Sequence, residues 1–126
     1  MQMSVLAHRS TAGTHAEGKR IIVSKVALLV KTKTQPGKRS EVRRLWDEHL
    51  RPRVEANAAQ EVYFFCEDTQ DPDTFYLFEI YANQEAMGEN AGAAWFADYL
   101  RAVGPLLTDQ SEVSTAVPVW AKGAAL

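Results

Sequence analysis

Two neighbouring segments of this chain leave a β-sheet no face to give to water. Glu61 to Glu67 carries Val62, Phe64 and Cys66 on one alternation and Tyr63 and Phe65 on the other. Thr74 to Tyr81 carries Phe75, Leu77 and Tyr81 on one and Tyr76, Phe78 and Ile80 on the other. Successive side chains of a strand point to opposite faces, so both faces of this pair are apolar. The polar run Asp68-Thr69-Gln70-Asp71-Pro72-Asp73 between them predicts a hairpin. One face can pack under helices. The other needs a second cover, because single chains seldom expose an apolar patch of more than a few hundred Å². A second copy packed sheet to sheet is the simplest cover, and twofold symmetry is the commonest way to arrange it. The patterning therefore predicts a homodimer through the sheet face. The rival cover, the first 20 residues folded back, is disfavoured by their polarity (Ser10, Thr11, Gly13, Thr14, Gly18).

Around the hairpin the periods alternate between two and 3.6. Ile21 to Lys33 reads as a strand ended by Pro36-Gly37. Val42, Leu45, Trp46, His49 and Leu50 recur at helical spacing, with Glu41, Arg43, Arg44, Asp47 and Glu48 opposite. Pro52 kinks or ends that helix, and Val54 to Ala59 allows a short further turn. Asn83 opens another helix, with Glu85 and Glu89 where negative charge suits the dipole. Gly92 breaks it, and Trp95, Phe96, Tyr99, Leu100 and Val103 continue a second segment up to Gly104-Pro105. Glu112 to Ala121 alternates again and reads as a last strand, with Pro118 arguing for an edge. The order β-α-β-β-α-β is the ferredoxin-like arrangement: an α+β fold with a four-stranded antiparallel sheet and helices on one face. The domain is expected over residues 21–126, and residues 1–20, which hold His8 and His15, as a flexible tail.

The 14 Lys and Arg against 16 Asp and Glu give a net charge of −2, which offers nucleic acid no electrostatic attraction. One cysteine, Cys66, precludes an intrachain disulfide; it reads as inert packing. No apolar run is long enough to span a membrane, and no secretory signal pattern opens the chain, so a cytoplasmic location is expected. The phosphate-loop, dinucleotide, HExxH and CxxC motifs are all absent.

The stretches Val26-Ala27-Leu28-Leu29-Val30-Lys31 with Gln35-Pro36-Gly37-Lys38, the arm Asp71-Pro72-Asp73-Thr74-Phe75-Tyr76-Leu77-Phe78-Glu79-Ile80-Tyr81, and Gln84-Glu85-Ala86-Met87 leading to Trp95-Phe96 carry a resemblance. From about Lys25 to Leu107 the chain resembles the antibiotic biosynthesis monooxygenase family of the dimeric α+β barrel superfamily. The resemblance implies a small dimer with a pocket between sheet and helices. It also implies oxygenation of phenols or quinols without metal, flavin or haem, so no cofactor is expected. Relatives degrade haem, and others are isomerases. Many members carry His where this chain has Asn90, and often a second His where it has Trp95. The haem-degrading pattern is disfavoured, because Ala91 to Leu107 holds no His and Ile21 to Lys33 no Asn.

Without a cofactor the substrate must supply the electrons. An electron-rich phenol, once deprotonated, can reduce O2 directly, and the protein then supplies a base, an apolar pocket and hydrogen-bond donors. His49 is the histidine in structured sequence and borders the buried helix face, which makes it the candidate base; the alternative is a boundary His satisfied by a neighbour. Asn90 could hydrogen-bond a phenolate or peroxy intermediate, or cap the helix before Gly92. Trp95 could stack on a ring, and Tyr99 shares its face. Trp46, Tyr63, Phe65, Phe78, Tyr81, Phe96 and Tyr99 are candidate pocket residues, with the strand aromatics divided between pocket and dimer interface. Glu79 lies among apolar residues and must be paired or protonated. Arg43, Arg44 or Lys31 could pair with it, which suggests a structural role at the dimer interface before that of a catalytic acid. The expected function is a cofactor-independent monooxygenase acting on a small aromatic phenol or quinol with O2. The alternatives are a non-catalytic small-molecule-binding or stress-related barrel, or an isomerase on a small metabolite.

Overall fold

A computed structural model describes residues 24–123. The expected tail, residues 1–20, lies outside them, as do residues 21–23 of the expected first strand. The elements run β1 (Val26–Thr34), α1 (Arg39–His49), α2 (Arg51–Ala56), β2 (Gln60–Glu67), β3 (Thr74–Tyr81), α3 (Gln84–Ala91), α4 (Ala94–Val103), a 3-10 turn (Gly104–Leu106) and β4 (Leu107–Ala116). The strands form an antiparallel sheet in the order β2-β3-β1-β4. This is the ferredoxin-like topology.

The local reasons are visible at each boundary. Gly37 turns the chain out of β1 at φ 77°, a conformation that favours glycine. Pro52 occupies the second position of α2, where its missing N–H costs no helical bond, so it starts a new helix while the previous one stops at Leu50. The Asn83 side chain accepts from Ala86 N at 2.8 Å and caps α3. β4 differs from expectation: it starts at Leu107 and ends at Ala116, leaving Val117 to Ala121 outside the sheet. The 3-10 turn delivers Leu107 directly opposite Thr34, so pairing begins earlier, and Pro118 has no N–H to extend it.

The register settles the two faces. Val26, Leu28, Val30 and Thr32 pair with Tyr81, Glu79, Leu77 and Phe75, and this set faces the helices. There Val42, Leu50, Phe75, Tyr99 and Val103 form one buried cluster, and Val26, Tyr81, Ala86 and Met87 another. The opposite face carries Leu29, Val62, Phe64, Cys66, Phe78 and Ile80. Leu29 is 41% exposed and Phe64 57%. Cys66 is exposed on this face and fills no core position within the chain, contrary to expectation.

The β2–β3 turn is held from outside by α1. Arg39 Nη1 donates to the carbonyls of Asp68 (3.2 Å), Asp71 (2.9 Å) and Thr74 (3.1 Å). Within the turn, Asp68 accepts from Asp71 N, Tyr76 Oη and Gln70 N, which hold its carboxyl down at about 2. Arg39→Ala removes the one side chain that ties the three carbonyls together and leaves Asp68 O without this donor, while Asp71 O and Thr74 O keep backbone donors at 3.3 and 3.0 Å. It is expected to lower unfolding stability by about 2 kcal/mol, read as an earlier urea midpoint with an unchanged slope.

Candidate functional site

A polar cluster lies between the helix-facing side of the sheet and α3. Gln60 enters β2 at a bulge opposite Tyr81, which turns it to the same side as Tyr63. Glu79 Oε1 accepts from Gln60 Nε2 at 3.0 Å and from Tyr81 Oη at 2.7 Å. Gln60 Nε2 also donates to Tyr81 Oη at 2.9 Å, and Asn90 Nδ2 donates to the same oxygen at 3.2 Å. Asn57, which follows α2, donates to Asn90 Oδ1 at 3.3 Å. On the α1 side, Trp46 Nε1 donates to Tyr63 Oη at 2.9 Å.

Burial sets the electrostatics. It pushes the Glu79 carboxyl up, against the two hydrogen bonds that favour its charged form. It also pushes the Tyr63 and Tyr81 phenols well up, and the Glu79 charge adds to both shifts. Burial alone raises Tyr99 to about 12. All three phenols therefore stay protonated at neutral pH.

Two expectations for Glu79 are corrected. Arg43 pairs with Glu67 and Arg44 with Glu48, while Lys31 is exposed on the other face of the sheet, opposite Tyr76. Glu79 is instead satisfied by uncharged donors. Its side chain also points toward the helices, since it pairs with Leu28 and Tyr63 in register, so it does not lie on the open face. A carboxyl raised above its ordinary 4.5 favours folding when protonated. That contribution is complete below 4.5 and is lost as pH rises through the folded-state value. Glu79→Gln removes this component. Wild-type melting temperature should fall more steeply than that of the variant as pH rises from the acid side, which thermal melts across a pH series would show.

A separate cleft of about 480 Å³ opens where α1, α2 and α4 meet, lined among others by Glu48, His49, Pro52, Arg53, Trp95 and Asp98. His49 ends α1, half-buried, with its ring 6.2 Å from that of Tyr99. Trp95 stands edge-on to Phe96 at 6.1 Å, and the Arg53 guanidinium carbon lies 5.4 Å from the Trp95 ring centre. A base, an aromatic face and a cation thus share one accessible space.

The structure brings together His49 and Trp95. Asn90 does not line their cleft; it belongs to the Gln60–Glu79–Tyr81 cluster. Tyr63 and Tyr81 face the helices beside Glu79. Phe65 stacks on Phe75 (5.1 Å) and meets Trp46 at a tilt (5.2 Å), and Phe96 and Tyr99 pack in the same core. Phe78 is not a pocket residue: it stacks on Phe64 at 6.2 Å on the open face. Parity decides this, because Phe78 and Tyr81 stand three apart in a strand without a bulge between them. The residues not anticipated are Gln60, Asn57 and Arg53. Among the described residues, no three His, Cys, Asp or Glu side chains converge to hold a metal, and no helix is long and apolar enough to cross a membrane.

A four-stranded antiparallel sheet in the order β2-β3-β1-β4, with its helices on one side, defines the ferredoxin-like α+β class. The antibiotic biosynthesis monooxygenase model matches residues 25–101, and the chain belongs to that family. A protein from Mycobacterium tuberculosis is similar in structure at 29% identity, with 79% of this chain and 100% of that one covered and a TM-score of 0.69. A candidate antibiotic biosynthesis monooxygenase from Caulobacter crescentus shares the fold at 21% identity, covering 78% and 92% of the two chains, with a TM-score of 0.72. Another from Chloroflexus aurantiacus shares it at 22% identity, covering 79% and 98%, with a TM-score of 0.67. No curated protein sequence matches the chain.

Proposed function

We propose that this protein is a cofactor-independent monooxygenase that oxidises a small aromatic phenol or quinol with O2, at the cleft shared by His49 and Trp95. The observation that carries the reading is that family membership coincides with a histidine and an indole opening onto one space. His49 accepts the phenolic proton, and the Trp95 indole packs against the ring. The phenolate passes an electron to O2, and recombination forms a carbon–oxygen bond and a peroxide anion, which takes the proton back from His49. His49 then removes the remaining proton from that carbon while the O–O bond breaks. The departing hydroxide receives that proton and leaves as water, and the carbon becomes a carbonyl. One O2 is consumed, with one oxygen atom in the quinone and one in water.

In this reading Asn90 has a supporting role outside the cleft. Its amide donates to the Tyr81 hydroxyl, which in turn donates to Glu79. Oxidation under isotopically heavy O2 tests the reaction type: the quinone should carry one heavy oxygen atom. Unlabelled quinone would mean that the protein does not oxygenate.

The functional unit in this reading is a homodimer closed through the open face of the sheet. Leu29, Phe64 and Phe78 cross three adjacent strands there, and Phe64 and Phe78 already stack. A second copy related by a twofold axis covers the same patch with itself.

A further inference from the structure

Arg53 stands apart from the other arginines of residues 24–123. Arg39 and Arg43 face Glu67, Arg44 faces Glu48, Arg51 faces Asp47 and Glu55, and Arg101 faces Asp98. Among the described residues Arg53 has no carboxylate partner, and it lies instead against the Trp95 ring. The acidic residues that line the same cleft do not compete for it, since Glu48 is held by Arg44 at 3.2 Å and Asp98 by Arg101. The Arg53 guanidinium carbon lies over the indole at 5.4 Å from the ring centre, and among the described residues its N–H groups donate to no partner. The planar fork of a guanidinium matches the two oxygens of a carboxylate. An aromatic ring bound in the cleft would meet an indole and a base, and beside them a cation with no carboxylate paired to it.

We propose that the substrate carries a carboxylate on the same aromatic system as its hydroxyl, and that Arg53 anchors that carboxylate while the hydroxyl is presented to His49. This rests on the reading of the cleft as a phenol site, and it narrows the substrate from phenols in general to hydroxyaryl carboxylates. Neutral quinols of the same size would lack the anchor.

Calorimetric titration of the full chain with a hydroxynaphthoate and with its carboxamide separates the two cases. The wild-type protein should bind the carboxylate about tenfold more tightly, the difference expected for one charge-assisted fork. Arg53→Gln should bring both ligands to the carboxamide's affinity, and Arg53→Lys should keep part of the preference. Because Arg53 is exposed, both variants should retain the wild-type circular dichroism spectrum. Equal affinity of the wild type for the two ligands, binding of neither, or an undiminished preference in Arg53→Gln would overturn the proposal. Oxygen uptake on the same ligands keeps the two readings apart. A carboxylate preference without uptake retains the anchor and removes the oxygenase. Uptake on neutral quinols with no preference does the reverse.

Discussion

Phe64→Glu should turn a dimer into a folded monomer. Phe64 is 57% exposed in the single chain and stacks only on Phe78 of the same face. Its replacement therefore costs the chain's own core little. In a twofold dimer the same change places a carboxylate from each copy into a desolvated apolar interface with no cation to receive it. The nearest cation of that face in register, Lys31, is opposite Tyr76 and Glu112, away from Phe64. Burying an unpaired charge of this kind costs about 3–5 kcal/mol, so even one of the two should raise the dissociation constant by about 10² to several times 10³. Light scattering at micromolar concentration should report two chains for the wild type and one for Phe64→Glu, with unchanged circular dichroism. A wild type that scatters as one chain would contradict the dimer.

His49→Ala should lower kcat/KM on a phenolic substrate by about 10² to 10⁴, the usual contribution of a positioned base. The ring is half-buried and touches Tyr99 at 6.2 Å, so the variant loses a contact but no hydrogen-bonded partner in the core. Its fold and oligomeric state should survive. Added imidazole should restore part of the rate, because the space vacated by the side chain opens onto the cleft. Loss of activity through simple misfolding would not be rescued in this way. Full activity in His49→Ala would remove His49 from the chemistry.

The contrast between Phe64 and His49 also shows which parts of the molecule were legible in the sequence. The hairpin, the Asn83 cap and the break at Gly92 follow from residue types acting locally, and the structure places them at or next to the expected positions. The existence of two apolar sheet faces followed from alternation, which is strictly local as well. What alternation does not supply is pairing across strands. The bulge between Gln60 and Val62 reverses the parity of Gln60, so a residue that counting assigns to the open face joins Glu79 and Tyr81 instead. Glu79 therefore found an amide and a phenol where a distant arginine was expected. Phe78, by contrast, could have been assigned from parity with Tyr81 alone. Arg53 carried no sequence signal, since its distinction is the absence of a carboxylate neighbour, a property of tertiary packing. β4 began early because the 3-10 turn sets where the chain returns to β1, and no residue pattern announces that length.

The most direct test of the central claim is an oxygen-electrode assay on the purified protein with a panel of quinols, anthrones and hydroxyaryl carboxylates and no added cofactor. Oxygen uptake above the buffer rate is expected on at least one of them. One O2 should be consumed per quinone formed, and the rate should collapse in His49→Ala while the dimer persists. Uptake equal to buffer across the whole panel would contradict it.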